Sequence, residues 1–379
     1  MDRIYFDNAA TTPISKSVLE AMKPWLYEQY GNPSAIYEEG SLAKIAINSA
    51  RRSVANLINA APGEIIFTGG GSVSDNWALI GIAESLQYKG NHIIISPIEH
   101  SAINETCRYL ESRGFCISFL PINKYGYVDA FKLQDMITDK TILVSCMMVN
   151  NEIGTIQPID DIVRYAHDRG VLVHTDAVQA YGHIPIDVQE TQVDLLSASA
   201  HKINGPKGIG MLYIRRGTKI SPLIHGGHQE NGMYAGTENV AGIIGFGQAA
   251  VDALENMDAR IMYETGLAHY IMEGLNQLNI DIKINGGDYR TSSNINIIVP
   301  NVNNSELQAM LDLKGISVST GSACNSGEQT PSRVLKKIGL TDEEANSSIR
   351  ITPRYLNTYE EADRFIHVMS ECVNELQKN

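Results

Sequence analysis

The sequence predicts an α/β protein, with a mostly parallel central sheet, helices on both faces and a smaller α+β C-terminal domain. Three observations predict it. Seven short apolar runs occupy the first two thirds of the chain, helical patterns separate most of them, and near residue 256 this alternation gives way to a different order of elements.

The runs, in order, are EIIFTGG (64–70), HIIISP (92–97), CISFLPI (116–122), TILVSCMMV (141–149), GVLVHTDAV (170–178), DLLSASA (194–200) and GMLYIRR (210–216). They are apolar on both faces, as strands are when helices cover a sheet from both sides. Helical patterns such as VSDNWALIGIAESLQYKG (73–90) and IDDIVRYAHDRG (159–170) stand between them. After NVAGIIGFGQAAVDALENM (239–257) come a long helix, the strands IKIN (282–285) and NINIIVP (294–300), and a helix at NSELQAMLDLKG (304–315). A loop and a final helix, YEEADRFIHVMSECVNELQ (359–377), complete the chain. Residues 15–255 are expected to form the large domain, and 1–14 with 256–379 the small one. Repeats and long linkers are lacking, so the two parts should pack as one unit.

Of 379 residues, 43% are hydrophobic and 19% charged, an ordinary globular balance. The net charge of −13 argues against nonspecific binding to nucleic acid or anionic membrane. The start, MDRIYFDNAATTP, lacks the apolar core of a signal peptide, and no apolar run approaches the roughly 20 residues of a spanning helix. A cytoplasmic protein is expected. Its five cysteines, Cys107, Cys116, Cys146, Cys324 and Cys372, show no CxxC spacing, so neither a disulfide framework nor a zinc site is indicated, and no metal is expected. Four lie in apolar or amphipathic stretches and read as buried structural thiols. Cys324 is different: the small and turn-forming residues of STGSACNSGEQTPS (319–332) put it on a loop.

Asp176 ends one expected strand and His201-Lys202 another, in HTDAVQAYGHIPID (174–187) and SASAHKINGPKGIG (197–210). An acid and an amine then meet at neighbouring strand ends, where open α/β sheets bind ligands. Gly205 and Gly208 leave room around the amine. The same residues also read as a loop lysine beside a helix-capping aspartate. What favours chemistry is the rest of the pattern. In FTGGGSVSDN (67–76) a strand runs through Gly69, Gly70, Gly71 and Ser72 into a helix, the arrangement that aims backbone N–H groups at a phosphate. Taken alone it reads equally well as only a tight turn. Ser199 and His201 add donors, and His100, in SPIEHSAI (96–103), is a candidate to stack on a ring and shuttle protons. A lysine for an aldehyde, an aspartate for a pyridinium nitrogen and a phosphate cradle are what pyridoxal 5'-phosphate requires.

The stretches YFDNAATTP, GNPSAIY, FTGGGSVSDN, EHSAI, VNNEIGTIQPI, HTDAVQAYG, SAHKINGPKGIG, GTENVAGIIG and STGSACNSG resemble, in order, those of cysteine desulfurases of the NifS/IscS type, class V of the aminotransferase fold. The resemblance covers nearly the whole chain. It implies a homodimer of the PLP-dependent transferase fold type I that converts L-cysteine to L-alanine and leaves sulfur on the enzyme as a persulfide. A sulfur-acceptor protein would then take it for iron–sulfur cluster, tRNA or other thio-cofactor synthesis. By motif, Lys202 bonds the cofactor aldehyde, Asp176 pairs with the ring nitrogen, Gln179 bonds the ring oxygen and His100 stacks on the ring. Gly71, Ser72, Ser199 and His201 hold the phosphate, joined by the partner subunit's Thr237. Asn151 and Arg350 hold the substrate carboxylate, a task the planar guanidinium suits. Cys324 attacks the substrate sulfur as a thiolate, assisted by a proton acceptor such as His100 or the substrate amine.

The chain departs from that pattern at Tyr37 (usually His), Val73 (usually Glu), Asn231 and Tyr234 (commonly Arg), and Pro353 (usually Gly). These changes leave open a selenocysteine lyase, a desulfurase of a modified cysteine, or a class V aminotransferase. Cys324 argues against the last, since transamination gives it no task.

Overall fold

The computed structural model describes residues 3–278, 280–291, 293–320 and 330–378. Its strands are β1 (Ile4–Tyr5), β2 (Ile65–Thr68), β3 (His92–Ile95), β4 (Cys116–Phe119), β5 (Thr141–Ser145), β6 (Leu172–Asp176), β7 (Leu195–Ser199), β8 (Gly210–Ile214), β9 (Lys283–Ile284), β10 (Ile295–Ile298), β11 (Ile316–Ser317) and β12 (Ser348–Ile351). The seven apolar runs become the seven strands of one sheet, in the order β2-β8-β7-β6-β5-β3-β4. All its pairings are parallel except those of β8, which runs against both β2 and β7. The expected α/β architecture is what the chain adopts.

Successive side chains of a strand point to opposite faces, and both faces here are dry. Ile65 and Phe67 of β2, Val144 of β5 and Leu196 of β7 belong to one core cluster, which also holds Ile47, Ile162 and Phe246 from helices. Ile66, Leu143 and Leu195 face the other way, against Trp77, Leu79 and Ile82 of the helix Gly71–Leu86 and Ile103 of the helix Ser101–Ser112. The β7–β8 reversal encloses residues 200–209, so the chain turns back at once after Ser199. That tight return carries Lys202.

The later part has its own core. β9, β10 and β12 form an antiparallel sheet, β1 pairs in parallel with β11, and Phe6, Leu307, Ile349 and Phe365 are buried together. The helix Val240–Gln277 runs unbroken through residue 256. Its first half buries Ile243, Phe246 and Ala250 in the large core and its second half Leu267, Ile271 and Leu275 in the other. The expected division therefore falls inside one helix, with no linker.

Three of the cysteines expected to be buried are so: Cys107, Cys146 and Cys372. Cys116 is exposed, against expectation. The reason is topological: β4 is the edge of the sheet, paired only with β3, so an apolar strand there keeps an open flank. No helix among the described residues is long and apolar enough to cross a membrane.

Candidate active site

The strands β2, β3, β5, β6 and β7 all point their C-terminal ends at one rim. A cavity of about 530 Å³ opens there. It is lined by Gly71 and Ser72 after β2, His100 after β3, Asn151 after β5, Asp176 and Gln179 from β6, and Ser199, His201 and Lys202 from β7. Arg350 of β12 closes it from the second body. Two expected residues are not in it. Thr237 lines a neighbouring cavity of about 180 Å³ that shares Gly69 and Gly208 with the first. Cys324 lies outside the described residues.

The anion end is built by glycine. Gly70 has φ +143, which a side chain rarely adopts, and a Cβ on Gly71 would stand 2.7 Å from Val178 Cγ2. Glycine thus lets the start of the helix Gly71–Leu86 press against the turn after Asp176. The first N–H groups of that helix face the cavity, next to Ser199 and His201. The His201 Nδ1 is 3.0 Å from Thr11 Oγ1, and burial, Lys202 and Lys207 push its pKa down to about 4. It is a neutral hydrogen-bonding ring at neutral pH.

The N-terminal segment supplies a wall that sequence reading assigned no role. Phe6 N–H donates to Ser317 and Thr12 N–H to the His201 carbonyl, so residues 9–11 span the site. Lys202 Nζ donates to the carbonyls of Ala9 and Ala10, the latter at 2.9 Å, and Gln179 Nε2 donates to Ala9 O at 2.9 Å. Asp7 pairs with Arg350 Nη2 at 2.7 Å. Arg350 also donates to Asn151 O at 2.9 Å, yet its Nε has no hydrogen-bond partner although the residue is 3% exposed. A buried guanidinium with an unused N–H beside Asn151 keeps donor capacity for one more acceptor.

Beneath the cavity lies a group of buried acids. Asp176 Oδ1 accepts from Val178 N–H at 2.9 Å; burial raises its pKa, while His100, that N–H and Lys202 hold it down. Asp75 is pushed well up by burial and by the charge of Asp176, and Glu99 likewise. Asp75 Oδ1 and Glu99 Oε2 have no hydrogen-bond partner. Burial and the charge of Asp176 disfavour ionisation of Asp75 and Glu99, whereas His100 and Lys202 favour the charged form of Asp176. Sequence reading missed Asp75 and Glu99, because an acid at a helix start ordinarily caps it in water.

His100 caps the helix Ser101–Ser112, its Nδ1 accepting from Ala102 N–H at 3.2 Å. The neutral ring therefore carries its proton on Nε2. Its pKa is lowered, mainly by burial. The expected shuttle is accordingly constrained: a second proton would have to enter at Nδ1, against that N–H.

On the same face of β6 as Asp176, His174 is fully buried between Ser145 Oγ (2.9 Å) and Ser197 Oγ (3.0 Å), and burial lowers its pKa to about 3. The unfolded chain then binds a proton that the folded one refuses. Stability contributed here is complete above the unfolded value near 6.5 and declines as pH falls toward 3, by up to about 1.4 kcal/mol per pH unit. Urea unfolding between pH 7 and 5 should show this decline, and His174→Gln should flatten it.

The residues fit a phosphorylated pyridine aldehyde: an amine, a buried acid and a glycine-shaped helix start share one cavity, where the Gly71 cradle would be filled by any Cβ. Of the departures, Val73 lines this cavity, and Tyr234 lines the neighbouring one, its ring 6.0 Å from Trp77. Tyr37 is an exposed residue preceding the helix Glu38–Asn56, and Asn231 adopts φ +59.

Comparison with known proteins agrees with this geometry. The family model for aminotransferase class-V matches residues 4–365. Proteins named cysteine desulfurase IscS from Methanosarcina thermophila and Dictyoglomus turgidum are each 47% identical over 375 residues, covering 99% of this chain and 93% and 95% of theirs. A solved NifS-like protein superposes with a TM-score of 0.92 at 37% identity, covering 98% of this chain and 99% of that one. The structure titled SspA in complex with cysteine gives 0.83 at 38% identity, covering 92% and 98%.

Proposed function

The chain belongs to the class-V aminotransferases and, among them, to the pyridoxal-phosphate cysteine desulfurases, and from that premise we propose how its residues take sulfur from L-cysteine. The observation that carries the reading is the single cavity joining Lys202, Asp176, the Gly71 helix start and Arg350. Lys202 would tether the cofactor aldehyde, Asp176 face the ring nitrogen, Gln179 the ring oxygen and His100 the ring itself. Gly71, Ser72, Ser199 and His201 would hold the phosphate. When bound, the cofactor supplies an electron sink through its protonated ring nitrogen.

Arg350 and Asn151 orient the substrate carboxylate, and Lys202 moves the proton at the substrate carbon. The Cys324 thiolate attacks the substrate sulfur: an S–S bond forms, the C–S bond breaks, and its electron pair passes to carbon, which is protonated to give alanine. The enzyme is left as a persulfide, and an acceptor protein removes the outer sulfur. Residues 15–255 serve as the cofactor-binding body and 1–14 with 256–379 as the body closing the substrate side.

Incubation with L-cysteine and a thiol should yield alanine and sulfide in equal amounts. Arg350→Ala should raise KM for cysteine by about 10–100-fold, from loss of about 1.5–3 kcal/mol of charge-assisted hydrogen bonding. An unchanged KM would remove Arg350 from the substrate site.

A cytoplasmic homodimer is part of the proposal. Leu26, Tyr27, Tyr30, Ile36, Tyr37 and Ile45 are exposed, Tyr30 at 81% and Ile36 at 99%, an apolar density that isolated chains rarely present to water. Thr237, set apart from its own chain's main cavity, is suited to reach across. Sedimentation should give the mass of two chains, and Tyr30→Asp with Ile36→Asp that of one.

A further inference from the structure

Arg333 follows Cys324 in sequence, and its two terminal guanidinium nitrogens bind a distant segment, residues 97–104. Nη1 donates to Pro97 O (3.1 Å) and Asn104 Oδ1 (2.7 Å), and Nη2 to Glu99 O. Asn104 in turn donates Nδ2 to Glu99 O and to His100 O, both at 2.9 Å. Ile98 O accepts from Asn150 Nδ2 at 3.0 Å, and Glu99 Oε1 accepts from Met147 N–H at 2.6 Å. Residues 97–104 are thus gripped from two sides, by β5's continuation and by Arg333. A half-buried arginine whose terminal nitrogens bind two carbonyls of the turn and the Asn104 side chain on the helix after it fixes that turn's path more tightly than a lysine point charge could.

That turn presents His100. The ring's Nδ1 is held by Ala102 N–H, so the free nitrogen in the cavity is Nε2. We propose that Arg333 is a positioning residue for His100, its guanidinium fixing residues 97–104 so that the imidazole enters the cavity as one tautomer, with its proton on Nε2. His100 then acts as a hydrogen-bond donor toward bound substrate or cofactor instead of a base. The charges facing the ring are Asp176, which favours a second proton, and Lys202 and Arg333, which oppose it; the helix start and burial oppose it too. The inference rests on the placement of His100 in the proposed function.

The test uses the cofactor-loaded enzyme with ring-¹⁵N histidine, the His100 signals being assigned by their loss in His100→Gln. The wild-type ring should show the Nε2–H pattern alone and keep it below the ordinary imidazole range near 6.5. Arg333→Met, which removes fork and charge, should move the ring's titration to higher pH by about one unit and lower kcat about 10-fold at pH 6 with KM for cysteine unchanged. Arg333→Lys keeps the charge without the fork and should show a mixture of tautomers. Wild-type ring signals in both variants would overturn the proposal, as would failure of both to fold or load, which would make Arg333 an anchor of the fold. Wild-type turnover in His100→Gln would instead refute the role of His100 itself, whatever the ring signals of the Arg333 variants.

Discussion

Lys202→Ala should form alanine from L-cysteine at least about 10³-fold more slowly than the wild type, on the order of 4 kcal/mol of lost transition-state stabilisation. The Lys202 amine donates to the carbonyls of Ala9 and Ala10 at the cavity wall, near enough for its charge to favour ionised Asp176. Lys207 also lines the cavity, but it comes from the far side of the turn that begins at Lys202. Alanine at 202 removes both the tether and the group that moves a proton at the substrate carbon. The protein should still fold, because the carbonyls it vacates face the cavity and can bind water. Purified protein should therefore lack the visible band of a lysine-bound cofactor while keeping its thermal unfolding within a few degrees. A variant with normal turnover would remove Lys202 from the chemistry.

Cys324→Ala should reduce alanine formation from L-cysteine to background while the visible band and cysteine binding persist. None of the four described cysteines can stand in. Cys107, Cys146 and Cys372 are buried, and burial pushes the Cys107 thiol up to about 12 and the other two upward. Cys116 is exposed but begins β4, at the end of the sheet opposite the rim that holds the cavity. A thiolate is the attacking species, so a thiol that stays protonated or faces away cannot carry the step. Cleavage of selenocysteine that survives in Cys324→Ala would mark a lyase, because direct elimination needs no enzyme thiol. Alanine formation from cysteine at the wild-type rate would end the persulfide route.

Much of this was legible in sequence, for reasons that are local. Strands such as HIII and TILVS are apolar on both faces and too short for helices, and the glycines of FTGGGS mark a backbone that must bend and then start a helix. Lys202, Asp176 and His100 sat at strand ends, which a parallel sheet necessarily gathers at one rim. What was not legible depends on long-range packing. The acids Asp75 and Glu99 look like helix-start residues until the fold buries them against Asp176. Asp7 meets Arg350 because bridges join Asp7 to Thr352 and Ser319 to Arg350 across the two small sheets, and nothing near Arg333 in sequence points to the turn that it grips. Cys116 misled because an edge strand and a central one share a composition. The continuity of the helix Val240–Gln277, with its first half in one core and its second half in the other, is also something a change of pattern does not reveal.

The most direct measurement of the central claim is borohydride reduction of the cofactor-loaded enzyme, followed by peptide mass mapping. The account predicts a pyridoxyl-phosphate adduct on Lys202, reduced in amount by Asp176→Ala and absent when reduction is omitted. An unmodified Lys202, or an adduct confined to another lysine, would contradict it.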